Sequence, residues 1–169
     1  IYNPYLTAKN GTVDIITNGD QTNTIFDHID DCKHEFGFES ALNTREFEPD
    51  GPNWTPRISG MATFADGDFT YKMSILKSAD AEGTACNRFT YSYKALAGTG
   101  HFIHTYMGDG NPLPTFCGEP ERTIVPNDID AWLEEIWTNL NEQNKISIYV
   151  RFVDLKTGEV ENRMINKNA

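Results

Sequence analysis

A stiff, charged connector at residues 45–60, REFEPDGPNWTPRISG, is the stretch of this sequence best suited to chemistry. Two of its carboxylates, Glu48 and Asp50, precede the guanidinium of Arg57, and three prolines lie among them. Proline removes backbone freedom, and catalysis benefits from groups that are already held in place. The connector therefore predicts a site that fixes these three side chains, although the same stiffness also suits a purely structural loop.

A second polar stretch, TNGDQTNT at residues 17–24, ends a β-rich run and precedes a predicted helix. Its Asn-Gly pair is a strong turn signal, and the free N–H groups at a helix start attract anions. Asn18 and Asp20 are therefore candidate substrate-binding residues. A plain turn followed by a helix cap is the alternative.

Two histidines, His101 and His104, lie three apart on a predicted strand, so their side chains point to opposite faces. Each is a candidate pocket residue or packing residue, but the pair does not suit joint chelation of a metal. His28, Cys32 and His34 form the other group of metal-ligating types, whereas a structural zinc site needs four ligands. Because the sequence offers no second pair of ligands, we predict no metal site.

The strands and helices that must position these residues predict an α+β fold with antiparallel sheets covered by helices. The predicted strands are Val13 to Thr17, a hairpin over 57–76 with its turn at 65–68, an antiparallel pair of 88–94 with 101–107, and a third hairpin around 156–158. The predicted helices cover 24–36, 39–47 and 127–141, the last with Asn127 as its N-cap. Residues 108–126 carry four prolines and three glycines, which predicts a long shaped loop.

The bulk composition narrows the function classes. A chain of 169 residues fits a single domain over 1–169. Its formal charge of −11 argues against nucleic acid and anionic membrane partners, and no apolar run is long enough for a membrane span. Three widely spaced cysteines suit a reducing compartment, which predicts the cytoplasm. The chain opens at Ile1 without a methionine, so we expect a leading segment to precede it.

Collinear segments along nearly the whole chain resemble the archaeal-type IMP cyclohydrolase family, and more narrowly its bacterial branch. The segments that carry the resemblance are TNGDQTNTI at 17–25, REFEPDGPNWTPRISG at 45–60, YKMSILKS at 71–78, GHFIHTYMGDGNPLPTFCGEP at 100–120 and RFVDLKTGEVENRMINK at 151–167. Their common order makes the resemblance far more specific than any one motif.

The resemblance implies an Ntn-hydrolase-like fold, a four-layer αββα sandwich of antiparallel sheets, here lacking its N-terminal segment. It does not imply Ntn chemistry, because that chemistry needs an N-terminal Ser, Thr or Cys and this chain begins with Ile1. The resemblance also implies a homo-oligomer.

The implied reaction is the last step of purine synthesis, closure of 5-formamidoimidazole-4-carboxamide ribotide to IMP with loss of water, without metal or organic cofactor. An amide nitrogen is a poor nucleophile because its lone pair is delocalised. The enzyme must therefore hold the reactive rotamer, polarise the formyl oxygen and move protons.

The resemblance also implies site residues by position. The family's catalytic tyrosine matches Tyr2, its active-site glutamate matches Glu48, and its Thr-Pro-Arg motif ends at Arg57. Tyr2 is then the proton donor to the formyl oxygen, Glu48 accepts a proton from the carboxamide or orients it, and Arg57 contacts an anionic or carbonyl group. The candidate substrate-binding residues are Asn3, Asn18, Asp20, Thr55, His101 and His104.

Two other functions stay open at this point. The same fold could act on another nucleotide-like amide as a hydrolase or cyclohydrolase. Alternatively, the chain is a non-catalytic nucleotide-binding domain in which Tyr2 and Glu48 are structural.

Overall fold

A computed structural model describes residues 2–31 and 36–168 of the chain. They form two compact units, one made of residues up to Ala95 together with His101–Glu121, the other of Leu96–Gly100 and the residues from Arg122 onward. Antiparallel strands dominate the described chain, and its helices are few. The predicted α+β class is confirmed.

The first unit is built on a five-stranded antiparallel sheet in the order β1-β2-β3-β4-β5. Its strands are β1 (Tyr5–Ala8), β2 (Val13–Thr17), β3 (Arg57–Ala65), β4 (Asp68–Ser78) and β5 (Cys86–Lys94). Two helices, α1 (Gln21–Asp31) and α2 (Gly37–Leu42), lie in the chain between β2 and β3. The predicted strand over Val13–Thr17 and the hairpin of β3 with β4 are confirmed.

The core of this unit lies between one face of the sheet and the two helices. Ile15 of β2 pairs with Met61 of β3, and both are buried with Ile25 of α1 and Phe38 of α2. Because side chains alternate along a strand, Ile16 points to the other face and is exposed. Burial of these apolar groups fixes which face of the sheet the helices cover.

The partner of β5 differs from the prediction. The sequence predicts that residues 88–94 pair with 101–107, but β5 pairs with β4 over its whole length. Strand β6 (Thr99–Phe102) pairs with β7 (Glu121–Ile124) in a separate two-stranded sheet. The 11-residue β4 pairs with all nine residues of β5, whereas β6, with four residues, could pair with less than half of it. Strand β7 lies within the stretch predicted to be a loop.

The helix limits in the first unit also shift. Helix α1 begins at Gln21 and not at Thr24, because the hydroxyl of Thr22 donates to the carbonyl of Gly19 and closes the preceding turn. Helix α2 ends at Leu42 well before the predicted residue 47. The chain turns away there because Phe47 is buried against the ring of Trp54. Cys32 and His34 of the possible metal group lie outside the described residues.

The second unit contains α3 (Ile129–Asn139) and the hairpin of β8 (Ser147–Val153) with β9 (Val160–Asn166), which confirms the third predicted hairpin. Helix α3 packs against both strands, as expected for an amphipathic helix. Its N-cap is Asp128 and not the predicted Asn127, since Oδ1 of Asp128 accepts the backbone N–H groups of Asp130 and Ala131 at 3.0 and 2.9 Å.

None of the helices in the described part of the chain is long and apolar enough to cross a membrane.

Candidate active site

The guanidinium of Arg57 is the centre of a polar cluster in the first unit. It pairs with Glu48 through two atoms, with Nη1 3.0 Å from Oε1 and Nη2 donating to Oε2 at 3.1 Å. Nη1 also donates to Oε1 of Gln21 at 3.0 Å and to Oδ1 of Asp20. The Arg57 side chain is 10% exposed, against 34% for Glu48 and 54% for Asp20. The guanidinium is therefore the most buried group of these three, and the two carboxylates are more exposed to solvent.

The turn after β2 is bound to the start of β3 by side-chain hydrogen bonds. Asn18 Oδ1 accepts the backbone N–H of Ile58 at 2.8 Å, and its Nδ2 donates to the carbonyl of Pro56 at 2.9 Å. Gln21, which is fully buried, donates to the carbonyl of Ile58 at 3.1 Å. The polar turn and the Thr-Pro-Arg segment are thus held together in space, although roughly forty residues separate them in sequence.

Gly19 fits against the guanidinium because it has no side chain. A Cβ built there would lie 2.8 Å from Nη1 of Arg57, 2.5 Å from Oε1 of Gln21 and 3.0 Å from Oε1 of Glu48. Every larger residue at this position displaces at least one of the three polar groups. Glycine here serves close approach of the backbone to a charged group.

Asp20 bridges two arginines at the outer side of the cluster. Its Oδ2 lies 3.2 Å from Nη2 of Arg45, and its Oδ1 accepts from Arg57. Burial by itself would raise the pKa of Asp20, but the hydrogen bond and charge of Arg57, with those of Arg45, outweigh it and lower that pKa below its ordinary value. Asp20 is consequently a carboxylate at neutral pH.

The connector closes on itself around Thr55. The backbone N–H of Glu48 donates to the carbonyl of Thr55 at 2.8 Å, and the backbone N–H of Thr55 donates to Oδ1 of Asp50 at 2.7 Å. The Thr55 hydroxyl donates to Oδ2 of Asp50 and lies 2.6 Å from the hydroxyl of Tyr106. These bonds fix the position of Glu48 relative to Arg57, in addition to the restraint that the prolines of the connector impose.

Tyr2 reaches the same turn from the start of the described chain. Its hydroxyl donates to the backbone carbonyl of Asn18 at 2.8 Å, and its ring is exposed. The side chain of Asn3 is exposed as well. The structure therefore brings together Tyr2, Asn18, Asp20, Glu48, Thr55 and Arg57 from the predicted set.

The two histidines bond elsewhere in the first unit. The ring of His101 stacks on Tyr93 with centroids 3.7 Å apart, and its Nδ1 is 2.6 Å from the hydroxyl of Tyr71. By strand alternation, Tyr71 points to the sheet face opposite Leu76 and its partner Arg57. His104 has its Nδ1 2.6 Å from the carbonyl of Tyr106. His104 thus reaches the connector through Tyr106, whereas His101 lies on the other face of the sheet.

Several residues of the cluster were not singled out from sequence. Gln21 lies within the polar stretch at 17–24, whose amides and hydroxyls were its only signal. Thr105 lies 3.4 Å from Nδ2 of Asn18, and it joins Tyr106 and Arg45 as a neighbour of the cluster. These residues stand in segments that carry the family resemblance, but nothing in their local pattern distinguishes them.

Among residues 2–31 and 36–168, no group of three or more His, Cys, Asp or Glu side chains is arranged to hold a metal ion. The cluster contains two partly exposed carboxylates paired with the buried guanidinium of Arg57. The phenol of Tyr2 and the hydrogen-bonded turn at Asn18 lie beside them. Such a set can orient a polar substrate and exchange protons with it.

The sequence matches a protein-family model described as IMP cyclohydrolase-like protein over residues 1–158. This match includes all of the candidate site, and the chain belongs to that family. Comparison with curated proteins gives no significant match.

Proposed function

We propose that this protein is an IMP cyclohydrolase, which closes 5-formamidoimidazole-4-carboxamide ribotide to IMP with loss of water. The observation that carries the proposal is the Glu48–Arg57 pair beside the Asn18 turn, within a chain that belongs to the IMP cyclohydrolase-like family. The family gives the type of reaction, and the cluster supplies groups that suit it.

The reaction joins two groups of one substrate molecule. The carboxamide nitrogen attacks the formyl carbon and forms the new C–N bond, and the C–O bond of the former formyl group breaks. The departing oxygen leaves as water with one proton from the carboxamide nitrogen and one from the formamido nitrogen. The protein must therefore hold the formyl group close to the carboxamide and move these protons, with no net oxidation or reduction.

Glu48 is proposed to accept the carboxamide hydrogen bond and its proton. Both of its oxygens face Arg57, so the carboxylate plane is fixed before substrate arrives. Preorganisation of this kind lowers the entropic part of the barrier. Since the guanidinium of Arg57 is buried and occupied by Glu48, Asp20 and Gln21, we propose that its contact with a substrate carbonyl or anion is secondary to holding the two carboxylates.

Tyr2 is proposed to donate its proton to the formyl oxygen. Its hydroxyl now donates to the carbonyl of Asn18, so the phenol has to exchange that acceptor for the substrate. The exposed ring can make this exchange without disturbing the core. Asn3, Asn18, Asp20 and Thr55 remain proposed substrate-binding residues, and His104 is proposed to act through Tyr106. His101 stacks on Tyr93 on the other face of the sheet, so we do not place it in this site.

The wider expectations are part of the proposal. They are the Ntn-hydrolase-like four-layer αββα sandwich, the bacterial branch of the family, a cytoplasmic location, a homo-oligomer, and a reaction without cofactor. The five-stranded antiparallel sheet with helices on one face supports the first of these, and the odd number of cysteines supports a reducing compartment.

The test is a ring-closure assay of the full-length protein, followed by absorbance and by mass spectrometry of the product. We expect IMP to form after the metal chelator EDTA is added. Glu48→Gln should lower kcat by about 10²- to 10⁴-fold, the usual contribution of a positioned acid or base. Glu46→Gln is the matched control, because Glu46 is two residues away and its exposed carboxylate makes a 3.6 Å pair with Arg88.

Tyr2→Phe tests the second proton-transfer residue in the same assay. Wild-type turnover in Tyr2→Phe or in Glu48→Gln would remove the role assigned to that residue. A preference for another formylated or amide ribotide would favour the related hydrolase, and nucleotide binding without turnover would favour a binding domain.

A further inference from the structure

The indole of Trp54 is held between the connector and the turn that joins β4 to β5. Its Nε1–H donates to the carbonyl of Ala81 at 2.9 Å. A Cβ built on Gly83 of that turn would lie 2.6 Å from Cε2 of the indole, and one built on Gly51 of the connector would lie 2.7 Å from Cζ2. Phe47 adds an edge-to-face contact with ring centroids 5.8 Å apart. The two glycines therefore leave space that the indole fills.

The backbone of Trp54 is in the left-handed region, with φ of +44°. A bulky residue adopts this conformation only where its surroundings enforce it. The ring contacts and the hydrogen bond to Ala81 are such surroundings. The conformation of the connector at residue 54 thus depends on a turn that lies more than twenty residues further along the chain.

That turn is itself braced. Oδ1 of Asp80 accepts the backbone N–H groups of Glu82 and Thr84, each at 3.0 Å. The backbone N–H of Ala79 donates to the carbonyl of Ala85 at 2.9 Å and closes the base of the turn. Trp54 is accordingly anchored to a rigid support and not to a loose loop.

Trp54 directly precedes the residue on which the connector closes. Thr55 accepts the N–H of Glu48 through its carbonyl and binds Asp50 through its own N–H. A rotation of the backbone at Trp54 would move Thr55, and with it the carbonyl that accepts the N–H of Glu48.

We propose that Trp54 is a positioning residue, which uses the β4–β5 turn as a support to hold Glu48 and Arg57 in register for ring closure. The proposal rests on the proposed function for its kinetic part. Its structural part, control of the connector by Trp54, stands without it.

The experiment compares the full-length protein with Trp54→Phe, Gly83→Ala and the control Trp137→Phe, a half-buried aromatic on α3. Trp54→Phe removes the N–H donor and part of the ring, and Gly83→Ala places a methyl group where the indole lies. For both we expect kcat to fall about 10-fold or more with KM within about 2-fold of wild type, because a displacement of about 1 Å costs on the order of 10²-fold. Hydrogen exchange at the backbone N–H groups of Glu48 and Thr55 should become faster in both variants and stay unchanged in Trp137→Phe.

Wild-type kcat and wild-type exchange in Trp54→Phe would overturn the proposal. A variant with a lower melting temperature but wild-type kcat, assayed well below that temperature, would also overturn it. If the wild-type protein closes no ring, the proposed function fails. Faster exchange at Glu48 and Thr55 in the two variants would still support the structural part of the proposal, and unchanged exchange would reject that part.

Discussion

Arg57 holds Glu48 through both of its terminal nitrogens, Nη1 to Oε1 at 3.0 Å and Nη2 to Oε2 at 3.1 Å. A fork of this kind fixes the plane of the carboxylate as well as its distance. Both residues lie on the connector, which is closed by a backbone hydrogen bond from Glu48 to Thr55. The geometry of the candidate site is thus set before any substrate enters.

Gly19→Ala should lower ring-closure activity while leaving the protein folded. The new Cβ would be 2.8 Å from Nη1 of Arg57, so the guanidinium must move and carry Glu48 with it. We expect kcat to fall by about 10-fold or more, measured beside the unfolding midpoint. Gly60→Ala is the control, because a Cβ there would come no closer than 4.0 Å to the nearest described atom, the carbonyl oxygen of Ile16. Equal kcat in the two variants would contradict the prediction.

Arg57→Lys should destabilise the first unit even though the charge is kept. A lysine ammonium cannot supply the fork to Glu48 together with the bond to Gln21. The loss of a hydrogen bond to a charged partner in this buried place should lower the free energy of unfolding by about 1.5–3 kcal/mol, measured by urea unfolding. Arg88→Lys, at a more exposed arginine, should change it much less, and a similar loss in both would speak against the role of the fork.

Asp20→Asn should lower stability at neutral pH and lose its effect in acid. Because Arg57 and Arg45 lower the pKa of Asp20 below its ordinary value of 3.8, the ion pairs stabilise the folded state above that pH. The contribution is lost as the pH falls through the folded-state pKa. Urea unfolding at pH 7, 5 and 3 should show the gap between wild type and variant closing only in the last step.

The control for this pH series is Asp27→Asn, which changes an exposed carboxylate on the helix that follows Asp20. The difference in the free energy of unfolding between Asp27→Asn and wild type should not shrink between pH 5 and pH 3. A gap for Asp20→Asn that persists undiminished at the lowest pH would mean that something other than the carboxylate charge causes it.

Ile15→Ala and Ile16→Ala should differ sharply although the residues are adjacent. Ile15 is 0% exposed beneath the helices, and Ile16 is 53% exposed on the other face. Loss of a buried isoleucine side chain costs about 2–5 kcal/mol, whereas an exposed substitution should cost less than about 1 kcal/mol. Urea unfolding of both variants measures the difference, and similar costs would mean that the assigned face of β2 is wrong.

The sequence by itself determined the elements whose signals are local. The strand Val13–Thr17, the hairpin of β3 with β4 and the hairpin of β8 with β9 follow from alternation and turn residues, which act over a few neighbouring positions. The connector could be recognised for the same reason, since its prolines and charges are adjacent in the chain. Local signals placed helix ends less well, as the N-cap at Asp128 shows.

Only the tertiary structure decided which of these segments meet. The pairing of β5 with β4, the contact of Gln21 with Arg57 and the approach of Tyr106 to Thr55 all join residues without a shared local pattern. Such contacts depend on which surfaces bury together and on the cost of closing the chain between them. The sequence therefore indicated Glu48 and Arg57 as candidate site residues, and the fold placed Gly19 and Gln21 beside them.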